Sequence, residues 1–468
     1  MKKLLSFCLL VAMLMTVGLL GSAMAENLVD IKLSAPLNLS DATGARSIGN
    51  GAHSGHQTRI VHTSHGDYIA YLSNEIEPDA ASTINEFSLI KVENGKAELL
   101  YQDYQSYCTS SINIMADADE NTYAVSFTSN KYNKTVGVKE TLMGSVWRID
   151  GKTDQVTGYQ ANLETPRTES FGYAQAVMDA RNNKIYAFIS SGDEPARITW
   201  YIFDLKTLRW EKEARSIEIP MRHCYHFIYA DGKGGVVLVN QRDHLASAFG
   251  HDEIPTAPIW PASYLWDQLD MYCIPNVYGT SFYTYSINVA DFSRVKDLDG
   301  DGKYTSEEER KTNAYPGTLN NHQGDAYLDT AGRLHVLYTV SYSRDAYDRS
   351  TVELQQWHKV YDISNFANVR LLSEQRVYLE GFDPNTPEKN VFEFRMAEGR
   401  DGTLYLVAQQ DDDATEENKL QIYQLSERPA GGFDYTRIYK SEPLLPSTRS
   451  MSTGYSLSGS RSLSTHDG

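Results

Sequence analysis

Three histidines stand at equivalent places in copies of one short motif. In Asn320–Tyr338, NNHQGDAYLDTAGRLHVLY, His322 precedes a strand, a tight D-x-x-G turn and a second strand. In Gly55–Leu72, GHQTRIVHTSHGDYIAYL, His56 stands before the same pattern within the same His-Gln pair. In Arg222–Val239, RHCYHFIYADGKGGVVLV, His223 takes the place, with Tyr225 and His226 beside it. Tyr173, Glu393, Ser111 and Ser458 align with them in other copies, and Arg395, two residues after Glu393 on an alternating strand, shares its face. Histidine titrates near neutrality and can give or take a proton. Arginine can grip a carboxylate in a bidentate way.

Such a set suits β-elimination of a uronate-containing polysaccharide. Arg or His would neutralise the substrate carboxylate, His or Tyr would take the C5 proton, and Tyr or His would protonate the leaving oxygen. His56, His223, His322, Tyr225 and Arg395 are the candidates for this chemistry, and Tyr173, Glu393 and His226 for holding substrate. A glycoside hydrolase needs two suitably spaced carboxylates, for which Glu393 and Asp325 are the nearest. Polar residues at such places can also simply bond channel water, which leaves a non-catalytic glycan- or protein-binding protein as the alternative. His62, His65, His335 and His358 read as turn or strand-surface residues.

The elements that must position these side chains are repeated hairpins. The motif recurs as SSINIMADADENTYAVSF (Ser110–Phe127), GYAQAVMDARNNKIYAFI (Gly172–Ile189) and FEFRMAEGRDGTLYLVA (Phe392–Ala408), and SGSRSLSTHDG (Ser458–Gly468) reads as a seventh copy ending at its turn. Each copy pairs an alternating or apolar strand with Asp/Asn/Gly turn chemistry and a strand rich in Tyr, Val and Leu. Further strands follow several hairpins: TWYIFDL, FYTYSINV, VYDIS and LQIYQL. Short antiparallel strands recurring about every 50–70 residues, with little helical periodicity, predict an all-β fold, a seven-bladed β-propeller. One longer interval is accounted for by insertions. The segment Gln241–Ser281, with Trp260, Tyr264, Trp266 and Tyr272, reads as an insert that packs down as a lid or rim.

A second insertion carries its own chemistry. Asp297-Leu-Asp299-Gly-Asp301-Gly302-Lys303-Tyr304-Thr305-Ser-Glu-Glu308 matches the EF-hand loop. Asp297, Asp299 and Asp301 fill positions 1, 3 and 5, Gly302 makes the turn, Lys303 offers its carbonyl at 7, Thr305 stands at 9, and Glu308 closes at 12. This spacing wraps hard oxygen ligands round one Ca²⁺, read as a structural clip on an insertion.

Lys2 and Lys3, the apolar run Leu4–Leu20 and Ala23-Met24-Ala25 form a secretory signal peptide cleaved after Ala25, so the protein is expected to be secreted, with one domain over residues 26–468. No other run is long enough to span a membrane. The net charge of −18 argues against nucleic acid. Three cysteines remain, Cys108, Cys224 and Cys273, so at most one disulfide can form. The tail 449–468 reads as a last inner strand or a tail.

The pattern of histidine, strand and D-x-x-G-x-hydrophobic-hydrophobic in His322–Tyr338 and His56–Leu72 resembles the BNR-type propeller repeat family. That family includes seven-bladed polysaccharide lyases such as ulvan lyases and, more distantly, sialidase-like propellers. The resemblance implies a secreted propeller whose ring His, Tyr and Arg residues act as acid/base and carboxylate-neutralising groups, and it reaches His56, His223 and His322 and, beyond them, Tyr225 and Arg395. A true Asp-box is absent, and so is a recognisable arginine triad, which counts against a sialidase.

Overall fold

The computed structural model describes residues 60–75, 84–106, 113–129, 142–163, 174–191, 196–220, 223–242, 268–288, 315–319, 324–343, 352–379, 391–399, 401–412 and 417–440, with the short stretches 244–245, 254–256, 260–262, 264–265, 298–300 and 308. These residues build a β-propeller of six blades, each an antiparallel sheet. The inner strands neighbour one another in chain order.

Blade 1 contains β1 (Ile60–Thr63), β2 (Gly66–Glu75), β3 (Ile84–Glu93) and β4 (Lys96–Ser106). Blade 2 contains β5 (Asn113–Ala116), β6 (Thr122–Ser129), β7 (Leu142–Ile149) and β8 (Val156–Leu163). Blade 3 contains β9 (Gln175–Asp179), β10 (Lys184–Ser191), β11 (Arg197–Asp204) and an outer edge in two pieces, β12 (Arg209–Trp210) and β13 (Arg215–Glu218). Blade 4 contains β14 (His223–Ala230) and β15 (Val236–Arg242). Two small hairpins follow, β16 (His244–Leu245) with β19 (Tyr264–Leu265), and β17 (Ile254–Thr256) with β18 (Trp260–Ala262). The blade resumes with β20 (Gln268–Ile274) and β21 (Tyr283–Asn288). Blade 5 has an inner strand in two pieces, β22 (Tyr315–Leu319) and β23 (Asp325–Leu328), then β24 (Arg333–Ser343), β25 (Val352–Asp362) and β26 (Arg370–Arg376). Blade 6 contains β27 (Val391–Glu398), β28 (Leu404–Asp412), β29 (Glu417–Glu427) and β30 (Phe433–Lys440).

Burial explains the strand sequences. The middle strands are covered on both faces by neighbouring blades, so they read as continuous apolar runs rather than alternating ones. Six consecutive residues of β11, and all of β20, are buried. Outer strands such as β8 alternate with solvent. Aromatic side chains fill the gaps between the blades. Phe87 meets Trp147 across blades 1 and 2 at 4.4 Å between ring centroids. Trp200 stacks on Phe188 at 5.6 Å, and its indole N–H donates to the Val277 carbonyl of blade 4 at 2.8 Å.

The repeated hairpin turn works by a carboxylate. Asp117, Asp231 and Asp329 accept the backbone N–H four residues on, from Asn121 at 2.9 Å, Gly235 at 2.8 Å and Arg333 at 2.7 Å. Residues with left-handed φ close the turns, among them Asn183 at 55° and Gly332 at 78°, conformations that favour Asn and Gly.

Three expectations are corrected. Six blades are described rather than seven, and the seventh copy at Ser458–Gly468 lies outside the described residues. The insert is shorter than Gln241–Ser281, because β20, with Tyr272, lies inside that range as the buried third strand of blade 4. Lastly, His335 and His358 are 0% and 1% exposed. They lie between blades 5 and 6 because a polar chain satisfies them there. His62 and His65, in contrast, sit at the exposed turn of blade 1. Among the described residues no helix is long and apolar enough to cross a membrane, and Cys273 is a free, buried thiol.

Candidate functional site

The inner strands begin at one rim of the ring and end in hairpin turns at the other. At the first rim the chain places a band of buried polar residues. Asn113 opens β5, Gln175 opens β9, Asp325 opens β23, and Arg395 stands on β27 four residues before the turn at Gly399. On blade 4 the same level carries His226, and His223 lies at the start of the strand. A register shift between Cys224 and Phe227 locally bulges this strand, a device that redirects side chains.

Around His223 the groups are tightly tied. Its Nε2–H donates to Asp270 Oδ2 at 2.7 Å, and the Tyr272 hydroxyl lies 3.3 Å from the same nitrogen. Asp270 also accepts from Ser286 Oγ at 2.6 Å and from the Gln268 amide. Burial pushes the Asp270 carboxyl up, but the hydrogen bonds from His223, Ser286 and Gln268 outweigh it and hold it below the usual carboxylate range. Burial pushes the Tyr272 hydroxyl up, reinforced by the Asp270 charge.

His226 differs. Its Nδ1 lies 2.6 Å from Asn240 Oδ1. That carbonyl oxygen can only accept, so Nδ1 carries the proton and Nε2 keeps a bare lone pair. Among the described residues Nε2 has no hydrogen-bond partner, and neither has the Asn240 amide nitrogen. Burial lowers the His226 pKa from 6.5 to about 4, with the His223 charge adding to the effect and the Asn240 bond opposing it. At neutral pH the ring is therefore an uncharged base. A buried acceptor and a buried donor without partners among the described residues ask for a water or a ligand group.

Arg395 is 3% exposed and donates from Nη1 to the Gly324 carbonyl at 3.1 Å. Next to it, the Met396 N–H donates to Asp325 Oδ2 at 2.7 Å. Blades 5 and 6 are therefore joined at this rim.

The structure thus brings His223 and His226 together on blade 4 and puts Arg395 at the matching level of blade 6. Tyr225 and Glu393 lie on β14 and β27. His56, Tyr173 and His322 lie outside the described residues, as do Asp297, Asp301, Lys303 and Thr305 of the calcium loop. Asp299 and Glu308 are exposed. Among the described residues no group of His, Cys, Asp or Glu is gathered to hold a metal. Sequence reasoning missed Asp270, Asn240 and Gln268. They stand on β15 and β20, and only the pairing Asn240↔Asp270 brings them to the histidines.

No protein-family model matches the chain, and no curated protein matches it. Solved structures similar to it include an α-L-arabinofuranosidase of Fusarium graminearum in complex with an iminosugar inhibitor. It is 9% identical, the match covers 70% of this chain and 90% of that one, and the TM-score is 0.37. A xylan β-1,4-xylosidase from Bacillus halodurans is 9% identical over 82% of this chain and 81% of its own, with a TM-score of 0.32. An apocarotenoid oxygenase mutant of Synechocystis is 9% identical over 78% and 68%, with a TM-score of 0.37. The propeller architecture itself stands on the strand order described above.

Proposed function

We propose that this is a secreted, carbohydrate-directed β-propeller that acts on an acidic glycan by β-elimination at the rim where the inner strands begin. The observation that carries the reading is the Nε2 of His226, bare among the described residues, on the strand that also carries His223. It is a neutral base that no protein group among the described residues uses. A uronate carboxylate brought to this rim would raise the low pKa of His226, since a nearby negative charge favours imidazolium. The base would thus strengthen as substrate arrives. Arg395 supplies the cation for that carboxylate, and Tyr272 or Tyr225 the proton for the leaving oxygen.

Two of the rim carboxylates are not in the state a glycosidase acid requires. A glycosidase acid needs a raised pKa, whereas Asp270 is held low and Asp325 is engaged by the Met396 N–H. The second reading, a non-catalytic glycan-binding propeller, is favoured by the 0% and 1% exposure of His223 and His226. The test is to incubate the protein with a panel of uronate polysaccharides and follow absorbance near 235 nm. An unsaturated product that is lost in His226→Gln, with the fold kept by circular dichroism, is the expected result. Glycan binding with no product from any polymer would leave the second reading.

The finer expectations join this proposal. The loop 297–308 would clip an insertion with Ca²⁺ through its carboxylates and the Lys303 carbonyl. A seventh blade would draw on the segments that flank residues 60–440.

A further inference from the structure

The opposite rim, where the hairpin turns lie, holds a second feature. At three blade boundaries here, side chains bridge from one turn region to the next. The Glu120 carboxylate of blade 2 accepts from the backbone N–H of Ser64 in blade 1, at 2.8 Å, and from its hydroxyl. Glu398 of blade 6 takes the Thr330 N–H of blade 5 at 2.9 Å and the Thr330 hydroxyl at 2.5 Å. Between blades 3 and 4 the Tyr278 hydroxyl donates to Glu211 at 2.9 Å. Between blades 4 and 5, no hydrogen bond among the described residues joins the turns 231–235 and 329–332. The links lie deeper and further out: Tyr229 donates to the Ala326 carbonyl, and Tyr285 to the Phe366 carbonyl at 2.9 Å. A cleft of about 720 Å³ opens there, within the size range of small-molecule sites.

Its walls have a definite chemistry. Phe366, Tyr229 and Leu328 line it, and the rim carries Tyr283 at 43% and Leu372 at 48% exposure. Most charged groups of the lining are engaged by hydrogen bonds or ion pairs. Asp231 caps its own turn through the N–H groups of Lys233 and Gly235. Asp362 pairs with Arg370, and Arg333 with Asp329 and Glu427. Lys233 alone among them is exposed with no carboxylate in ion-pair reach among the described residues. One exposed ammonium beside an aromatic and aliphatic wall defines the complement.

We propose that this cleft is a ligand site, separate from the rim of the histidines, for a ring compound that carries one carboxylate and one flat apolar face. The carboxylate meets Lys233, and the face lies on Tyr283 and Phe366. A uronate sugar and an aromatic acid both have this chemistry.

The experiment titrates the full chain with glucuronate and with phenylacetate, and with glucose and benzyl alcohol as neutral counterparts, by saturation-transfer NMR and calorimetry. Saturable binding of at least one acid, weaker for its neutral counterpart, is expected. Lys233→Glu should weaken it roughly tenfold, about 1.4 kcal/mol, since it replaces an attraction by a repulsion. Tyr283→Ala should weaken it as well. Both positions are exposed, so the fold should tolerate either change. Glucuronate alone binding identifies a sugar acid, and phenylacetate alone an aromatic acid. No saturable binding of either acid, or binding unchanged in both variants, overturns the proposal. Elimination activity at the other rim is read separately at 235 nm, so the two readings fail independently.

Discussion

His226 and His358 are neutral because burial makes a charge costly at both positions. His226 titrates near 4 instead of 6.5, and His358 is lowered well below its usual value by burial, by His335 and by the Arg333 charge. A histidine with a depressed folded pKa binds more protons when unfolded, so its contribution to stability is present at neutral pH. That contribution is lost as pH falls below the unfolded value. For His226 the loss runs from about pH 6.5 to 4 and has a ceiling on the order of 3 kcal/mol. The carboxylates with lowered pKa values, such as Asp204 at about 2, act only at lower pH. The melting temperature should therefore fall between pH 6.5 and 4, with a shallower slope in His226→Gln. A parallel slope in that variant would refute the assignment. The second pair has its protons fixed as well. Asp329 can only accept, so His335 Nε2–H donates to it at 3.1 Å. His358 Nε2–H must then donate to His335 Nδ1 at 2.9 Å, and the Tyr435 hydroxyl to His358 Nδ1 at 2.7 Å. Tyr435→Phe leaves His358 Nδ1 without its donor, a loss of about 1–3 kcal/mol measurable by urea denaturation.

At the level of elements, stability lies in the wedges between the blades and in the turns. Trp147 is 1% exposed against Phe87 and Tyr101. Trp147→Ala should cost roughly 3–5 kcal/mol. Gly151 sits where an added Cβ would come 2.6 Å from the Glu120 carbonyl oxygen, which is backbone and cannot swing away. Gly151→Ala should cost about 1–3 kcal/mol, and an unchanged denaturation midpoint would show that the turn yields. The turn-forming hairpins were legible because Asp, Asn and Gly at fixed offsets have one local use. His223 was legible for the same reason, since it stands a constant distance from its turn. Blade 4 was misread. Its third strand, QLDMYCI, is buried on both faces and shows no alternation, and it follows prolines and aromatics that read as loop. His335 and His358 were misplaced because alternation tells which face a side chain takes, not whether a neighbouring blade brings Asp329 and Tyr435 to meet it.

Over the whole molecule, the ring has two chemically different rims. One gathers His, Asn, Asp and Arg at the strand starts, and the other carries carboxylate bridges at three blade boundaries and the cleft at blades 4 and 5. If the proposed calcium clip holds, EDTA should lower the melting temperature of the protein and added Ca²⁺ should restore it. A metal-stripped sample that melts unchanged would remove calcium from the account. The neighbourhood Asp270–His223–His226 could not be read along the chain, because its members come from β14 and β20, two strands of one blade separated in the sheet by β15. Only closing the sheet makes them adjacent.

The chain leaves blade 4 after Arg242, which pairs with His223, and returns at Gln268, with Gln241 paired to Leu269 across the same sheet. Exit and re-entry are therefore one strand spacing apart, about 4.8 Å, directly beside the histidines. The ladder on either side runs on as though nothing had been added. Blade 4 is thus a chassis with a socket. A change in the length of the intervening segment 243–267 would therefore leave the pairing of β15 with β20 in register.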